Sequence, residues 1–158
     1  MSDAQPRYWQ DLQEGETLST DRLTISKQDI LEFAADFDPQ PYHLDSDAAD
    51  ESIFGGLCAS GWQVTAMMMR LLTDAFIAED IDLLGSNGVS ALRWRKPVFA
   101  GDTLSSDITV ARRSEPGSDP RFGYIDCDVN VKNQDSDSVI QLTTSLMIGT
   151  NLGVAANG

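Results

Sequence analysis

Apolar residues recur along this chain first at helical spacing and later in strict alternation. The opening runs Arg7-Tyr8-Trp9 and Asp11-Leu12-Gln13-Glu14-Gly15-Glu16 read as a loop, and a short strand follows at about Thr17 to Leu23. Ser26 and Asp29 form an S-x-x-D pattern that predicts a helix start. Ile30, Phe33, Ala34 and Phe37 supply its apolar face, and Pro39 ends it, because a residue before proline avoids the α region. Asp38 therefore stands at the helix exit, and Pro41 is expected to keep the chain extended towards His43. Asp47 to Ser52 fits one short helical turn, broken by Phe54-Gly55-Gly56. Ser60, with Gln63 three residues on, predicts a second capped helix. From Trp62 onward this helix carries apolar residues on most sides, which predicts burial.

After a turn expected near Gly85-Ser86-Asn87-Gly88 the period becomes two. One strand covers roughly Val89 to Lys96. A second places Leu104, Ser106, Ile108 and Val110 on one face. Arg112 to Pro120 reads as a polar hairpin turn. The next strand alternates Ile125, Cys127, Val129 and Val131 with Asp126, Asp128 and Asn130, and a turn at Gln134 to Asp137 follows. The last strand points Ile140, Leu142, Thr144, Leu146 and Ile148 inward, and the tail Val154 to Gly158 is expected to be disordered. Half-solvated alternation of this kind argues an antiparallel sheet. One face of that sheet needs cover, and the helix starting at Ser60 is the one element long and apolar enough. The expected fold class is α+β, an antiparallel sheet wrapped around a long central helix: the hotdog arrangement. It is expected as a single domain over residues 1–158, with its core at about 12–150. Its edge strands invite pairing across a dimer axis.

Composition narrows the function. A chain of 158 residues with 41% hydrophobic content can bury a core without disulfides. The polar start Met1-Ser2-Asp3-Ala4-Gln5-Pro6 does not resemble a signal peptide, and no apolar run is long enough for a membrane span. Cys58 and Cys127 form no CxxC, so a reduced, cytoplasmic setting is expected. A formal net charge of -14 repels phosphate backbones and argues against nucleic acid as a partner. An anionic small ligand would need local positive charge, for which Arg93, Arg95, Lys96, Arg112 and Arg113 are available.

The chemistry centres on His43, the sole histidine, which excludes any metal site needing two. Imidazole changes charge most easily near neutral pH. His43 follows Asp38 in the run Asp38-Pro39-Gln40-Pro41-Tyr42-His43-Leu44-Asp45, a carboxylate and an imidazole braced by two prolines. A lone histidine is more often structural than catalytic, so its neighbours must decide. If Ser60 caps the second helix, the amide of Gly61 is left free at the positive helix end. That donor can hold a developing oxyanion, or simply water. The methionines Met67, Met68 and Met69 read as core filling.

These residues resemble the MaoC-like dehydratases, single-hotdog relatives of (R)-specific enoyl-CoA hydratase. The family motif runs D-x-N-P-x-H-x-D, then an alanine, then F-G and H-G-M. Here Asp38 to Asp45 matches the first part, Ala48 or Ala49 follows, Phe54-Gly55 matches the next piece, and Ser60-Gly61-Trp62 stands at H-G-M. Lys96-Pro97-Val98 and Gly101-Asp102-Thr103-Leu104 resemble the family's PV…GDTL connection. The likeness runs from about Leu12 to Ile148. It implies a cofactor-free lyase acting on acyl-CoA thioesters as a homodimer or a higher oligomer of dimers. Asp38 would take the proton of a water that adds to a trans-2-enoyl-CoA, His43 would donate or relay a proton to the α carbon, and the Gly61 amide would polarise the thioester carbonyl. Gln40, Phe54, Ser60 and Trp62 would contact substrate, with Met69 a further tunnel-wall candidate. The chain departs from the pattern in carrying Gln40 for asparagine and Ser60 for the second histidine. A polar residue that some members carry on the central helix falls near Met69. Two other readings stay open: an acyl-CoA thioesterase, whose water attacks the carbonyl rather than the β carbon, and a non-catalytic acyl-CoA-binding protein.

Overall fold

Helix α1, Lys27–Phe37, begins where its capping signals lie. The Ser26 hydroxyl accepts the Asp29 N–H, and the Asp29 carboxylate accepts the Ser26 N–H, each at 3.0 Å. This computed structural model describes residues 5–152, so the expectation for Val154 to Gly158 falls outside the described residues. Two hydrogen bonds, from the N–H of Ser26 first and its hydroxyl second, hold the Asp29 carboxyl below its ordinary value of 3.8. A depressed carboxylate stabilises the fold above its unfolded-state pKa, and the contribution disappears as pH falls through the folded-state value. Replacing Ser26 by Ala is expected to cost about 1 kcal/mol, read as a lower thermal midpoint at neutral pH; an unchanged midpoint would deny the cap its role.

The backbone after α1 differs from the expectation. Asp38 is the C-cap, with φ -152°, and its N–H still reaches Ala34 O at 2.9 Å. Pro41 does not keep the chain extended. It occupies the first position of a single helical turn, α2 (Pro41–Leu44), where its fixed φ suits the helix and no N–H is required. A second short helix, α3 (Ser46–Asp50), is capped by the Asp45 carboxylate, which accepts the N–H groups of Asp47 and Ala48.

Helix α4, Gly61–Ala78, starts at Ser60, whose hydroxyl accepts the Trp62 N–H. Gln63 does not complete a capping box. It is buried, and its side-chain amide donates to Asp29 O at 2.9 Å, tying α4 to α1. The expectation of burial on most sides is also corrected. Val64, Met68, Leu71, Leu72, Ala75 and Phe76 are buried, whereas Trp62 and Ile77 are 60% and 69% exposed.

The predicted strand near Thr17 splits into β1 (Thr17–Ser19) and β2 (Leu23–Thr24), which pair with different parts of β4 (Thr103–Ser114). β3 spans Leu83–Trp94, so the turn expected at Gly85 to Gly88 lies inside a strand. Its pairing slips between Leu83 and Gly85 and again between Ser86 and Gly88. Glycines that signal a turn in the sequence here serve β-bulges. β4 also continues through Arg112 and Arg113, which pair with Asp126 and Ile125 of β5 (Phe122–Lys132). β6 spans Ser138–Gly149, and the main sheet has the order β1-β4-β5-β6-β3 with antiparallel neighbours. The inward residues predicted for β4, β5 and β6 are all buried. Their apolar members join the buried face of α4 in one core. The sheet wraps α4, and the fold is the expected α+β hotdog.

Candidate active site

Asp38 and His43 meet because one chain reversal separates them. α1 ends on Asp38, the Gln40 carbonyl accepts the His43 N–H at 2.9 Å, and α2 turns the imidazole back. His43 Nε2 lies 3.5 Å from Asp38 Oδ2. The His43 side chain is 7% exposed, while that of Asp38 keeps an open side at 25%. Nδ1 sits 2.6 Å from the backbone carbonyl of Cys58. A carbonyl only accepts, so Nδ1 carries a proton whichever charge the ring has, and Nε2 is the nitrogen left to exchange a proton on the Asp38 side. Tyr42 packs edge-on to His43 with centroids 4.4 Å apart, and Phe54 packs on Tyr42 at 5.1 Å.

Cys58 is held in turn by the connection before β4. It forms an isolated bridge with Phe99, and the Ala59 N–H donates to Val98 O at 2.8 Å. The Asp102 carboxylate accepts the Phe99 N–H, and Gly101 supplies the positive φ of +89° that this turn requires. The match at Lys96-Pro97-Val98 and Gly101-Asp102 thus shapes the wall behind His43. Burial raises the thiol pKa of Cys58, which is free, as is Cys127. Cys58 therefore orients the ring through its backbone and is unsuited to be a nucleophile at neutral pH.

A cavity of about 320 Å³ opens at this pair. Asp38, His43, Phe54, Gly61 and Trp62 line it together with Tyr42, Val98, Trp94, Arg95 and Ile140. Among the described residues the Gly61 N–H has no protein acceptor, since the Ser60 hydroxyl takes the next amide. The other sequence candidates lie elsewhere. Gln40 is exposed and outside the cavity lining, and Ser60 is fully buried beneath the helix start. Met69 packs against the core instead of the cavity. Of the five candidate cations, Arg112 pairs with Asp126, Lys96 pairs with Asp137, and Arg113 stacks over Trp9. Arg95 lines the cavity and is held by the neutral amide of Gln141, while Arg93 bonds its neighbouring carbonyl at Leu92. Among the described residues no group of three or more His, Cys, Asp or Glu side chains forms a metal cluster, and no helix is long and apolar enough to cross a membrane.

Sequence reasoning did not find Cys58 or Trp94. Cys58 acts through a main-chain carbonyl, which any residue provides. Trp94 ends a strand more than thirty positions from Gly61, and no local pattern links the two. Tyr42 was the one readable addition, since it directly precedes His43.

A protein of Bacillus subtilis, YdeM, uncharacterized, is 29% identical over 135 residues, 85% of this chain and 93% of its own length. An (R)-specific enoyl-CoA hydratase of Rhodospirillum rubrum is 30% identical over 105 residues, 65% of this chain and 69% of the hydratase. The crystal structure of a MaoC-like dehydratase from the same organism superposes with a TM-score of 0.83 at 33% identity, covering 92% of this chain and 98% of that one. The model of the MaoC-like domain matches residues 11–122, the stretch that carries the carboxylate–imidazole pair, the start of α4 and the connection behind His43, and the chain belongs to that family.

Proposed function

We propose that this protein is a hydro-lyase that adds water to trans-2-enoyl-CoA thioesters with (R) stereochemistry, or removes it from 3-hydroxyacyl-CoA in reverse. The observation that carries the reading is the Asp38–His43 pair on the wall of a cavity that Gly61 also lines. In the hydration direction the pair starts as carboxylate and imidazolium. Asp38 takes a proton from water, whose oxygen forms the new bond to the β carbon. The π electrons of the C=C bond shift to the thioester oxygen, where the Gly61 N–H meets the developing charge. His43 gives its Nε2 proton to the α carbon, and the carbonyl re-forms. A proton passing from Asp38 to His43 across the 3.5 Å gap restores the starting state. Throughout, the Cys58 carbonyl keeps the Nδ1 proton in place.

Aromatic and aliphatic walls at Tyr42, Phe54, Trp62 and Val98 suit an acyl chain, and Arg95, held only by a neutral amide, supplies positive charge beside them for the phosphates of coenzyme A. The working unit is proposed to be a homodimer. β3 ends the sheet order, and exposed Leu84 and Val89 on it, with Ile77 of α4, are apolar side chains that a partner could cover. A light-scattering mass of one chain at assay concentration would rule this out.

Crotonyl-CoA and longer enoyl-CoAs test the activity. Loss of the conjugated absorbance without release of thiol is the expected result. Thiol release would instead assign a thioesterase, and binding with neither change would leave a non-catalytic acyl-CoA binder.

A further inference from the structure

We propose that Trp94 is a positioning residue that fixes the direction of the Gly61 N–H, and so tunes how strongly the site polarises a thioester carbonyl. The inference rests on the hydratase reading of the cavity but concerns a residue outside the motif. Trp94 is the last residue of β3, in register with Ile140 of β6. Just before it the pairing slips between Ser90 and Arg93, and Ala91 adopts a positive φ of +53°. A bulge of this kind re-aims the strand end. It turns the Trp94 indole onto the first turn of α4.

The contact is both steric and polar. A Cβ built on Gly61 would lie 2.6 Å from the indole, so the ring covers the Gly61 Cα and only glycine fits beneath it. The indole N–H donates to Gly61 O at 2.9 Å and approaches Thr65 Oγ1 at 3.2 Å. The Thr65 hydroxyl donates to the same Gly61 carbonyl at 2.8 Å. At the other end of that peptide unit the Trp62 N–H is held by Ser60 Oγ at 3.3 Å. The Gly61–Trp62 peptide is thus pinned at both ends and its Cα is covered from the side. Glycine by itself would let the preceding N–H swing. The Ser60 carbonyl of that preceding peptide accepts the Val64 N–H at 3.2 Å, the indole holds the peptide on the other side of the same Cα, and the Gly61 donor is fixed between them at the cavity wall. An oxyanion donor contributes in proportion to such preorganisation. Trp62 packs edge-on to Trp94 at 5.1 Å and steadies the ring.

Two replacements separate the N–H from the ring. Trp94→Phe keeps an aromatic packer without the donor, and the benzothiophene analogue of tryptophan at position 94 keeps the full shape with sulfur in place of N–H. Each is expected to lower kcat roughly 10-fold with KM changed less than about twofold, while dimer mass and thermal midpoint stay close to those of the unaltered protein. A second readout does not need turnover. Bound hexadienoyl-CoA absorbs further to the red as its carbonyl is polarised, and the shift should shrink in both replacements. Unaltered kcat and an unaltered red shift in the analogue would overturn the proposal, as would the absence of any shift in the original protein. A merely structural role would move the midpoint or the mass and leave the red shift intact. Failure of the original protein to hydrate any enoyl-CoA would overturn the hydratase reading instead, and the red shift would still decide the role of Trp94.

Discussion

Asp38→Asn and His43→Ala are each expected to lower turnover of an enoyl-CoA by roughly 10²-fold or more, the scale of general acid–base catalysis. Asparagine has the shape of aspartate but cannot accept a proton from water. The Asp38 backbone contacts that build the reversal, its N–H to Ala34 and its carbonyl from Gln40, survive the change. The loss should therefore appear in kcat with the thermal midpoint nearly unmoved. His43→Ala removes the proton donor and also leaves the Cys58 carbonyl without its partner at 2.6 Å. An unsatisfied buried acceptor costs about 1–3 kcal/mol, so a lower midpoint should accompany the lost rate. Absorbance assays beside thermal melts separate the two effects. A variant that keeps the full rate would take its residue out of the mechanism.

Phe76→Ala is expected to cost about 3–5 kcal/mol, the range for emptying a buried aromatic site. Phe76 is 1% exposed and is the largest of the fully buried side chains. It sits on the last full turn of α4, in the core shared with the sheet. Because the same helix begins at Gly61, loosening its far end also threatens the donor at its start. Chemical denaturation read by circular dichroism checks the number. A loss below about 1 kcal/mol would mean that the core repacks or that α4 is not its centre.

Much of this molecule was legible in local pattern. Ser26 and Asp29 announced α1, and Pro39 announced its end, because caps and prolines act over a few residues. The inward faces of β4, β5 and β6 followed from alternation alone, since each buries one side of a sheet. Where local signals failed, a longer-range partner had changed their meaning. Gly85 and Gly88 looked like a turn but relieve slips in the β3–β6 pairing. Gln63 looked like half of a capping box but reaches the carbonyl of Asp29 on another helix. Pro41 looked like an extended spacer but opens a helical turn, and that turn is what folds His43 back.

By itself the sequence determined the limits of α1, the start of α4, the buried faces of β4, β5 and β6 and the residue types available for acid–base chemistry, all properties of neighbours along the chain. Only the tertiary structure decided what those residues do together. It brought the Cys58 carbonyl to the imidazole, put Phe54 and Trp62 on the cavity, and left Gln40 and Met69 off it. It also laid Trp94 across Gly61 from the far end of a strand. The reason is physical: a hydrogen-bond partner or a covering ring is selected by proximity in space, and sheet register and helix packing set that proximity over distances no sequence window spans.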